Sequence, residues 1–235
     1  MELENFVAKY DKNKVIYIFI GRNLGYGAGH NIAIREAIKM NACYHIVLNP
    51  DIIFTSDSID VLYEFMNHNP NVGQVMPKVI YPNGEIQYLC KLIPNPIDLI
   101  FKRFLPTKLY RKRLRKFRLE FTGYNRIMNI PYLSGCFMFF RMSSLKEIGL
   151  FDERFFMYPE DIDITRRMHE KYKTIFYPNT TIIHAHAAAS YRSKKMLYIH
   201  IVNMIKYFNK WGWIIDRKRS TINKKCLKEI ETIRE

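Results

Sequence analysis

An acidic cluster in the second half of the chain contains the residue types of a general base. Five carboxylates stand among aromatic residues there, namely Asp152, Glu153, Glu160, Asp161 and Asp163. Glu160 and Asp161 directly follow Pro159, and proline is favoured in or just before the first turn of a helix. A like charge beside a carboxylate raises its pKa, and the helix dipole lowers it. Such a group could take a proton from a hydroxyl nucleophile. Acidic capping of the helix is the alternative.

A second candidate site follows an apolar run. Asn49 and Asp51 come directly after Tyr44–Leu48, and ligands of open α/β sheets bind at the carboxyl ends of the strands. The Asp51 carboxylate is a hard oxygen ligand suited to Mg²⁺ or Mn²⁺, which could bridge a diphosphate, and Asn49 could add a carbonyl oxygen. The alternative is a turn that caps the following helix.

Two further motifs are less specific. His184 and His186 follow a short apolar run. A histidine at a strand end can bind a metal or a phosphate, although it can equally be structural. Three alternating glycines, Gly25, Gly27 and Gly29, precede a predicted helix. They match neither the dinucleotide fingerprint nor a phosphate-binding loop with its lysine, and a tight backbone turn explains them.

The elements that position these residues alternate between strand and helix. Val15–Ile20 and Tyr44–Leu48 are continuous apolar runs, typical of strands buried on both faces. Ile59, Leu62, Phe65 and Met66 predict one face of a helix, and residues 72–81 predict a third extended segment. This alternation with short links predicts an α/β fold with a mostly parallel sheet.

Charge and composition narrow the class of protein. The 235 residues carry a formal charge of +15, which favours an anionic partner. Residues 102–118 hold nine basic residues and no acidic one, and Met196–Trp213 has the pattern of an aromatic amphipathic helix. Together they predict peripheral contact with an anionic membrane, with a solvated basic surface as the alternative. No nucleic-acid-binding motif or stacking platform is recognisable, so we expect no nucleic-acid partner.

The order of the motifs resembles family-2 glycosyltransferases, and within them the rhamnosyltransferase-like branch. The resemblance covers roughly Phe6 to Ser190 and is most specific between residues 151 and 163. It rests on Asn23-x-Gly25-x-Gly27-x-Gly29-x-Asn31, Leu48-Asn49-Pro50-Asp51, Ser134-Gly135, Gly149-x-Phe151-Asp152-Glu153-x-Phe155-Phe156 and Glu160-Asp161-x-Asp163-x-x-x-Arg167.

The resemblance implies a GT-A fold and inverting sugar transfer from a nucleotide-sugar, usually with a divalent metal, Mg²⁺ or Mn²⁺. It implies that Asp161 is the base that deprotonates the acceptor hydroxyl. The remaining roles implied are acceptor binding by Glu160 and Asp163, donor binding by Asn23, Gly25, Asn49 and Asp51, and metal binding by Asp51 and His184. Asn49 stands where the family's metal motif has its first aspartate. The acceptor would be a glycan or a lipid-linked glycan in cell-surface polysaccharide synthesis, at the cytoplasmic face of the membrane.

One departure from the family concerns the first half of the fold. The family begins with a strand, a helix and a second strand that contact the nucleotide, and this chain shows no such segment. We therefore expect an N-terminally incomplete glycosyltransferase domain over residues 1–190, followed by a basic helical extension over residues 191–235. A partner chain could supply the missing strands. A non-catalytic remnant or partner subunit is the alternative function.

Overall fold

A computed structural model describes residues 6–7, 9–11, 14–99, 107–185 and 194–232. Its helices are α1 (Tyr26–Lys39), α2 (Ser56–His68), α3 (Pro96–Leu99), α4 (Thr107–Phe117), α5 (Met142–Ile148), α6 (Glu160–His169), α7 (Lys194–Trp211) and α8 (Arg217–Thr232). Its strands are β1 (Tyr44–Leu48), β2 (Ile52–Ile53), β3 (Val72–Ile80), β4 (Cys90–Lys91), β5 (Met128–Asn129), β6 (Tyr132–Leu133), β7 (Phe137–Arg141) and β8 (Lys173–His184). His186 and residues 102–106 of the basic segment lie outside the described residues.

The main sheet has the order β1-β7-β3-β8-β2, and β5 also pairs with β8. The predicted mixture of helices and strands is confirmed, but the mostly parallel arrangement is matched only in part. Only β3 and β8 pair in parallel, while β7 runs antiparallel to both β1 and β3. β1 and β3 therefore run in the same direction, as a crossover through α2 requires. β7 is inserted between them in the opposite direction.

The predicted buried strand Val15–Ile20 is wrong. The structure assigns this segment to no strand, and Phe19 is 79 % and Ile16 61 % exposed. β1 pairs with β7 along one edge, and no described strand pairs with the other edge. An apolar run becomes a buried strand only where a neighbour satisfies its backbone N–H and C=O groups.

The core lies on both faces of the sheet. Leu62 and Met66 of α2 pack with β3, β7 and β8 on one face, while Ile34 of α1 lies in a cluster with residues of α5 and α6 on the other. Met204 and Phe208 of α7 are buried in a third cluster that also contains residues of β5 and β6. The apolar face of this helix, which the sequence associates with a membrane, is therefore occupied by the protein core. None of the helices within the described ranges is long and apolar enough to cross a membrane.

Candidate active site

Asp161 is a buried carboxylate in the first turn of α6. Its Oδ2 accepts hydrogen bonds from the Gly135 amide at 3.0 Å and the Tyr132 hydroxyl at 3.3 Å, and its Oδ1 accepts one from the Ile162 amide at 2.8 Å. Burial raises the pKa of Asp161 to about 6, although the Lys91 charge and these hydrogen bonds oppose the rise. The ionised form is thus held in place but remains basic enough to take a proton near neutral pH.

Glu160 stands beside Asp161 and is 4 % exposed. Burial and the Asp161 charge raise the pKa of Glu160 well above its usual range, and its Oε2 has no hydrogen-bond partner in the structure. A neutral Glu160 next to an ionised Asp161 is the arrangement expected of two adjacent buried carboxyl groups. The acidic capping considered from sequence is not observed: the N-cap is Pro159, which makes no side-chain cap hydrogen bond, although three acids stand in the first turn of α6.

Asp163 is paired with side chains of the protein itself. Its Oδ2 accepts a bond of 2.9 Å from Arg167, and its Oδ1 lies 2.8 Å from Trp211 Nε1 and 2.6 Å from Lys210 Nζ. Trp211 and Lys210 thereby join α6 to the end of α7, whereas Arg167 lies within α6 itself. Acceptor binding by Asp163 stays a prediction, and the contacts shown are structural.

Of the three glycines expected to form a turn before a helix, only Gly25 does so, because α1 begins at Tyr26 and contains Gly27 and Gly29. The turn at Gly25 lies between the Asp161 side of the site and the end of β1. The Gly25 amide donates to Asn23 Oδ1 at 2.9 Å, and Gly25 has a φ of 90°. The next residue, Tyr26, donates its amide to the Phe156 carbonyl. Its hydroxyl lies 2.5 Å from the Gly135 carbonyl and 3.2 Å from Asn49 Oδ1. Through Tyr26, the turn at Gly25 therefore contacts both Gly135, whose amide binds Asp161, and Asn49 at the end of β1.

Asn49 and Asp51 lie at the carboxyl end of β1, as predicted. The Asn49 amide donates to the Cys136 carbonyl at 3.0 Å, next to the Gly135 amide that holds Asp161. Asp51 does not cap α2, because that helix begins at Ser56 after Thr55. Its Oδ1 instead lies 3.3 Å from His184 Nε2, since β2 pairs Ile52 with His184.

Gln87 determines which nitrogen of His184 faces Asp51. Gln87 Nε2 donates a hydrogen bond to the His184 carbonyl at 2.7 Å. Gln87 Oε1 therefore faces His184 Nδ1 at 2.9 Å and accepts a hydrogen bond from it, so Nδ1 carries the hydrogen. The neutral imidazole then directs the lone pair of Nε2 toward Asp51 Oδ1. Two acceptors 3.3 Å apart are stabilised by a proton or by a cation between them.

This pair fits a divalent metal shared with a substrate. No group of three or more His, Cys, Asp or Glu side chains in the described part of the chain could hold a metal by itself. Mg²⁺ commonly takes one or two protein ligands and completes its shell with substrate phosphates and water. Asp51 and His184 supply two such ligands, and Asp51 is partly exposed.

Sequence reasoning missed Tyr132 and Lys91. Lys91 Nζ donates to Ser134 Oγ at 2.8 Å and lies 3.4 Å from the Tyr132 hydroxyl, which in turn contacts Asp161. The pairing of β4 with β6 places Lys91 opposite Tyr132. Tyr26 and Gln87 were missed as well. Tyr26 stands inside the glycine motif, but no local pattern distinguishes the other three.

Comparison with known proteins yields a family model, curated relatives and a solved structure. A family model described as "Glycosyl transferase family 2" matches residues 2–149, more than half of the chain. An N-acetylglucosaminyl-diphospho-decaprenol L-rhamnosyltransferase of Mycobacterium tuberculosis is 28 % identical over 185 residues, 73 % of this chain and 59 % of the relative. The low-salt glycan biosynthesis hexosyltransferase Agl10 of Haloferax volcanii is 26 % identical over 157 residues, 64 % of this chain and 45 % of the relative. The chain thus spans about half the length of these relatives.

A solved structure shares the fold. GalNAc-T7, crystallised with UDP, GalNAc and Mn²⁺, aligns with a TM-score of 0.53 and 15 % identity over 78 % of this chain and 34 % of its own. This structural likeness concerns the fold alone. Because the family model matches more than half of its residues, the chain belongs to glycosyl transferase family 2.

Proposed function

We propose that this chain transfers a sugar, with inversion, from a nucleotide-sugar to a hydroxyl of a glycan or lipid-linked acceptor in cell-surface polysaccharide synthesis. The observation that carries the proposal is the buried Asp161, whose pKa of about 6 suits a general base. Tyr26 and the Gly135–Cys136 turn connect Asp161 to Asn49, which stands two residues before Asp51. The names of the two relatives, a rhamnosyltransferase and a hexosyltransferase, support the same class of reaction.

The proposed step needs one base and one leaving group. Asp161 takes the proton of the acceptor hydroxyl as its oxygen forms a bond to the anomeric carbon. The bond from that carbon to the diphosphate oxygen breaks, and its electron pair leaves with the nucleoside diphosphate. Attack from the face opposite the leaving group inverts the anomeric centre. Lys91 and the Gly135 amide keep Asp161 ionised and oriented before the step.

Asp51 and His184 are proposed to hold Mg²⁺ or Mn²⁺. When bound, the metal would stabilise the negative charge of the leaving diphosphate. Support comes from the paired acceptor atoms of these residues and from the fold neighbour, whose name records UDP and Mn²⁺. Donor binding by Asn23, Gly25 and Asn49 is part of the same proposal. Location at the cytoplasmic face of a membrane stays a prediction.

The test compares Asp161→Asn with Asp57→Asn in the full chain. Asp57 also stands in a first helical turn but is exposed to solvent, so Asp57→Asn controls for loss of a helix-terminal charge. Release of nucleoside diphosphate is measured with nucleotide-rhamnose and UDP-hexose donors and a short-chain N-acetylglucosaminyl-diphospho-prenol acceptor. We expect Asp161→Asn to lower kcat by about 10²- to 10⁴-fold. Normal transfer by Asp161→Asn would refute the proposal.

A non-catalytic partner subunit is the second candidate. It is favoured by the exposed apolar segment Val15–Ile20 and by the edge of β1, where further strands from another chain could pair. Turnover of a nucleotide-sugar by the isolated 235-residue chain would eliminate this candidate. Turnover only after addition of a second protein would support it.

A further inference from the structure

A basic groove runs between α4 and α8. It consists of a cavity of about 620 Å³ lined by Arg111, Lys112 and Lys116 of α4, and a second cavity of about 450 Å³. Lys116 and Leu227 line both cavities, so the two adjoin, and together they are called the groove below. Arg115 of α4 also lines the larger cavity, where Glu231 is the acid that faces the four cations.

The charges of this groove are only partly compensated. Arg113 pairs with Asp98 at 2.8 Å, and Arg115 lies 3.5 Å from Glu120. Asp216, which lines the second cavity, is paired with the buried Arg166 at 2.7 Å. Arg111, Lys112 and Lys116, in contrast, form no ion pair within the described ranges. The groove therefore presents a positive surface with few acids to neutralise it.

An apolar tip adjoins this groove. Ile214, which lines the second cavity, is 89 % exposed, its neighbour Ile215 is 82 % exposed and Trp213 is 37 % exposed. The tip links α7 to α8, and the first residues of α8 are Arg217, Lys218 and Arg219. Two adjacent isoleucines in water are unfavourable, and burial in an apolar phase removes that cost.

We propose that the α4–α8 groove and the Ile214–Ile215 tip form a docking surface for an anionic phospholipid bilayer. The isoleucines insert among the acyl chains while the cations of α4 lie at the level of the lipid phosphates. Positive charge alone would equally suit RNA. Non-specific RNA sites, however, use aromatic stacking platforms beside their cations. Here the two most exposed apolar side chains are the aliphatic Ile214 and Ile215, while Phe121 of the groove and Trp213 of the tip are each only 37 % exposed. The bilayer accounts for both the charge and the tip.

The first experiment is co-sedimentation of the full chain with vesicles, which needs neither donor nor acceptor. We expect binding to phosphatidylcholine vesicles that contain phosphatidylglycerol, and little binding to phosphatidylcholine alone. Ile214→Ser with Ile215→Ser should weaken binding by at least about tenfold. Lys112→Gln and Lys116→Gln should each weaken it by about fivefold. Matched controls are Met40→Ser, at a 66 % exposed site, and Lys146→Gln, at an exposed position of α5, both of which should bind normally.

The second experiment tests directly whether the tip enters the acyl-chain region of the bilayer. Brominated acyl chains should quench the fluorescence of Trp213 in anionic vesicles, and Trp213→Phe should remove the quenched component while Trp211 remains. Thermal unfolding confirms that each variant is folded. Equal binding to neutral vesicles, binding that is insensitive to the isoleucine variants, or tighter binding to a mixed-sequence RNA than to anionic vesicles would each overturn the proposal. If the unaltered chain binds anionic vesicles as expected but transfers no sugar, the result counts against the proposed reaction and not against the docking surface.

Discussion

The Gly135 amide lies 3.0 Å from Oδ2 of Asp161 and donates a hydrogen bond to it. A Cβ added at Gly135 would lie 3.1 Å from the Cβ of Asp161, so these two residues are in close contact. The turn between β6 and β7 thereby fixes the carboxylate at the start of α6. A general base held by a backbone amide keeps its orientation whether or not substrate is bound.

The pH dependence of transfer should report Asp161. Since its pKa is raised to about 6, kcat/KM should fall about tenfold per pH unit below that value and level off above it. The same shift has a consequence for stability. A carboxyl whose pKa lies above its ordinary 3.8 favours the folded state when protonated, so its contribution to stability is lost as the pH rises through 6.

Asp161→Asn removes that titration. Compared with the unaltered chain, this variant should show a shallower decline of Tm between pH 4 and pH 8, measured by calorimetry. A pH–rate profile that is flat between pH 5 and pH 8 in the unaltered chain would contradict the assignment of Asp161 as the base.

Lys91 should act as a positioning residue. Its positive charge lowers the pKa of Asp161, so Lys91→Met should move the acidic limb of the pH–rate profile toward higher pH. Lys91→Arg retains the charge and should restore the limb near its original position. A loss of rate with no shift of the limb would show that Lys91 acts only through packing on Tyr132.

Asp163 should matter for stability. Its side chain is fully buried and paired with Arg167 and Lys210, and its removal deprives both cations and the Trp211 N–H of their shared buried acceptor. We expect Asp163→Ala to lower the free energy of unfolding by about 3–5 kcal/mol, measured by urea denaturation. The matched change Glu36→Ala removes an exposed ion pair with Lys39 and should cost less than about 1 kcal/mol. Equal losses for both variants would refute the structural role of Asp163.

Gly25 and Gly29 of the glycine motif should respond in opposite ways to substitution by alanine. Gly25 has a φ of 90°, and a Cβ there would lie 2.3 Å from the Phe156 carbonyl oxygen. Gly25→Ala should therefore destabilise the protein by at least about 1 kcal/mol. Nothing lies within 4 Å of a Cβ at Gly29, which stands inside α1. Gly29→Ala should stabilise the protein by about 0.5–1 kcal/mol. Thermal unfolding distinguishes the two, and similar Tm values would contradict the expectation.

Local pattern was sufficient for several elements of the site. The continuous run Tyr44–Leu48 predicts β1 and places Asn49 and Asp51 at its carboxyl end, because strand length and the following proline are local properties. Pro159 likewise predicts the start of α6, and with it the position of Asp161 in the first turn. Each of these predictions depends on residues that are neighbours in the chain.

The remaining relationships depend on strand pairing and could only be decided by the tertiary structure. Val15–Ile20 has the composition of a buried strand but lacks a partner among the described strands. His184 meets Asp51 only because β2 pairs with β8, and Lys91 approaches Asp161 only because β4 pairs with β6. The sequence by itself therefore determined which residue types stand at helix starts and strand ends. The pairing of the strands decided which of these residues come into contact, because strands that are distant in the sequence pair without any local sequence pattern that would predict it.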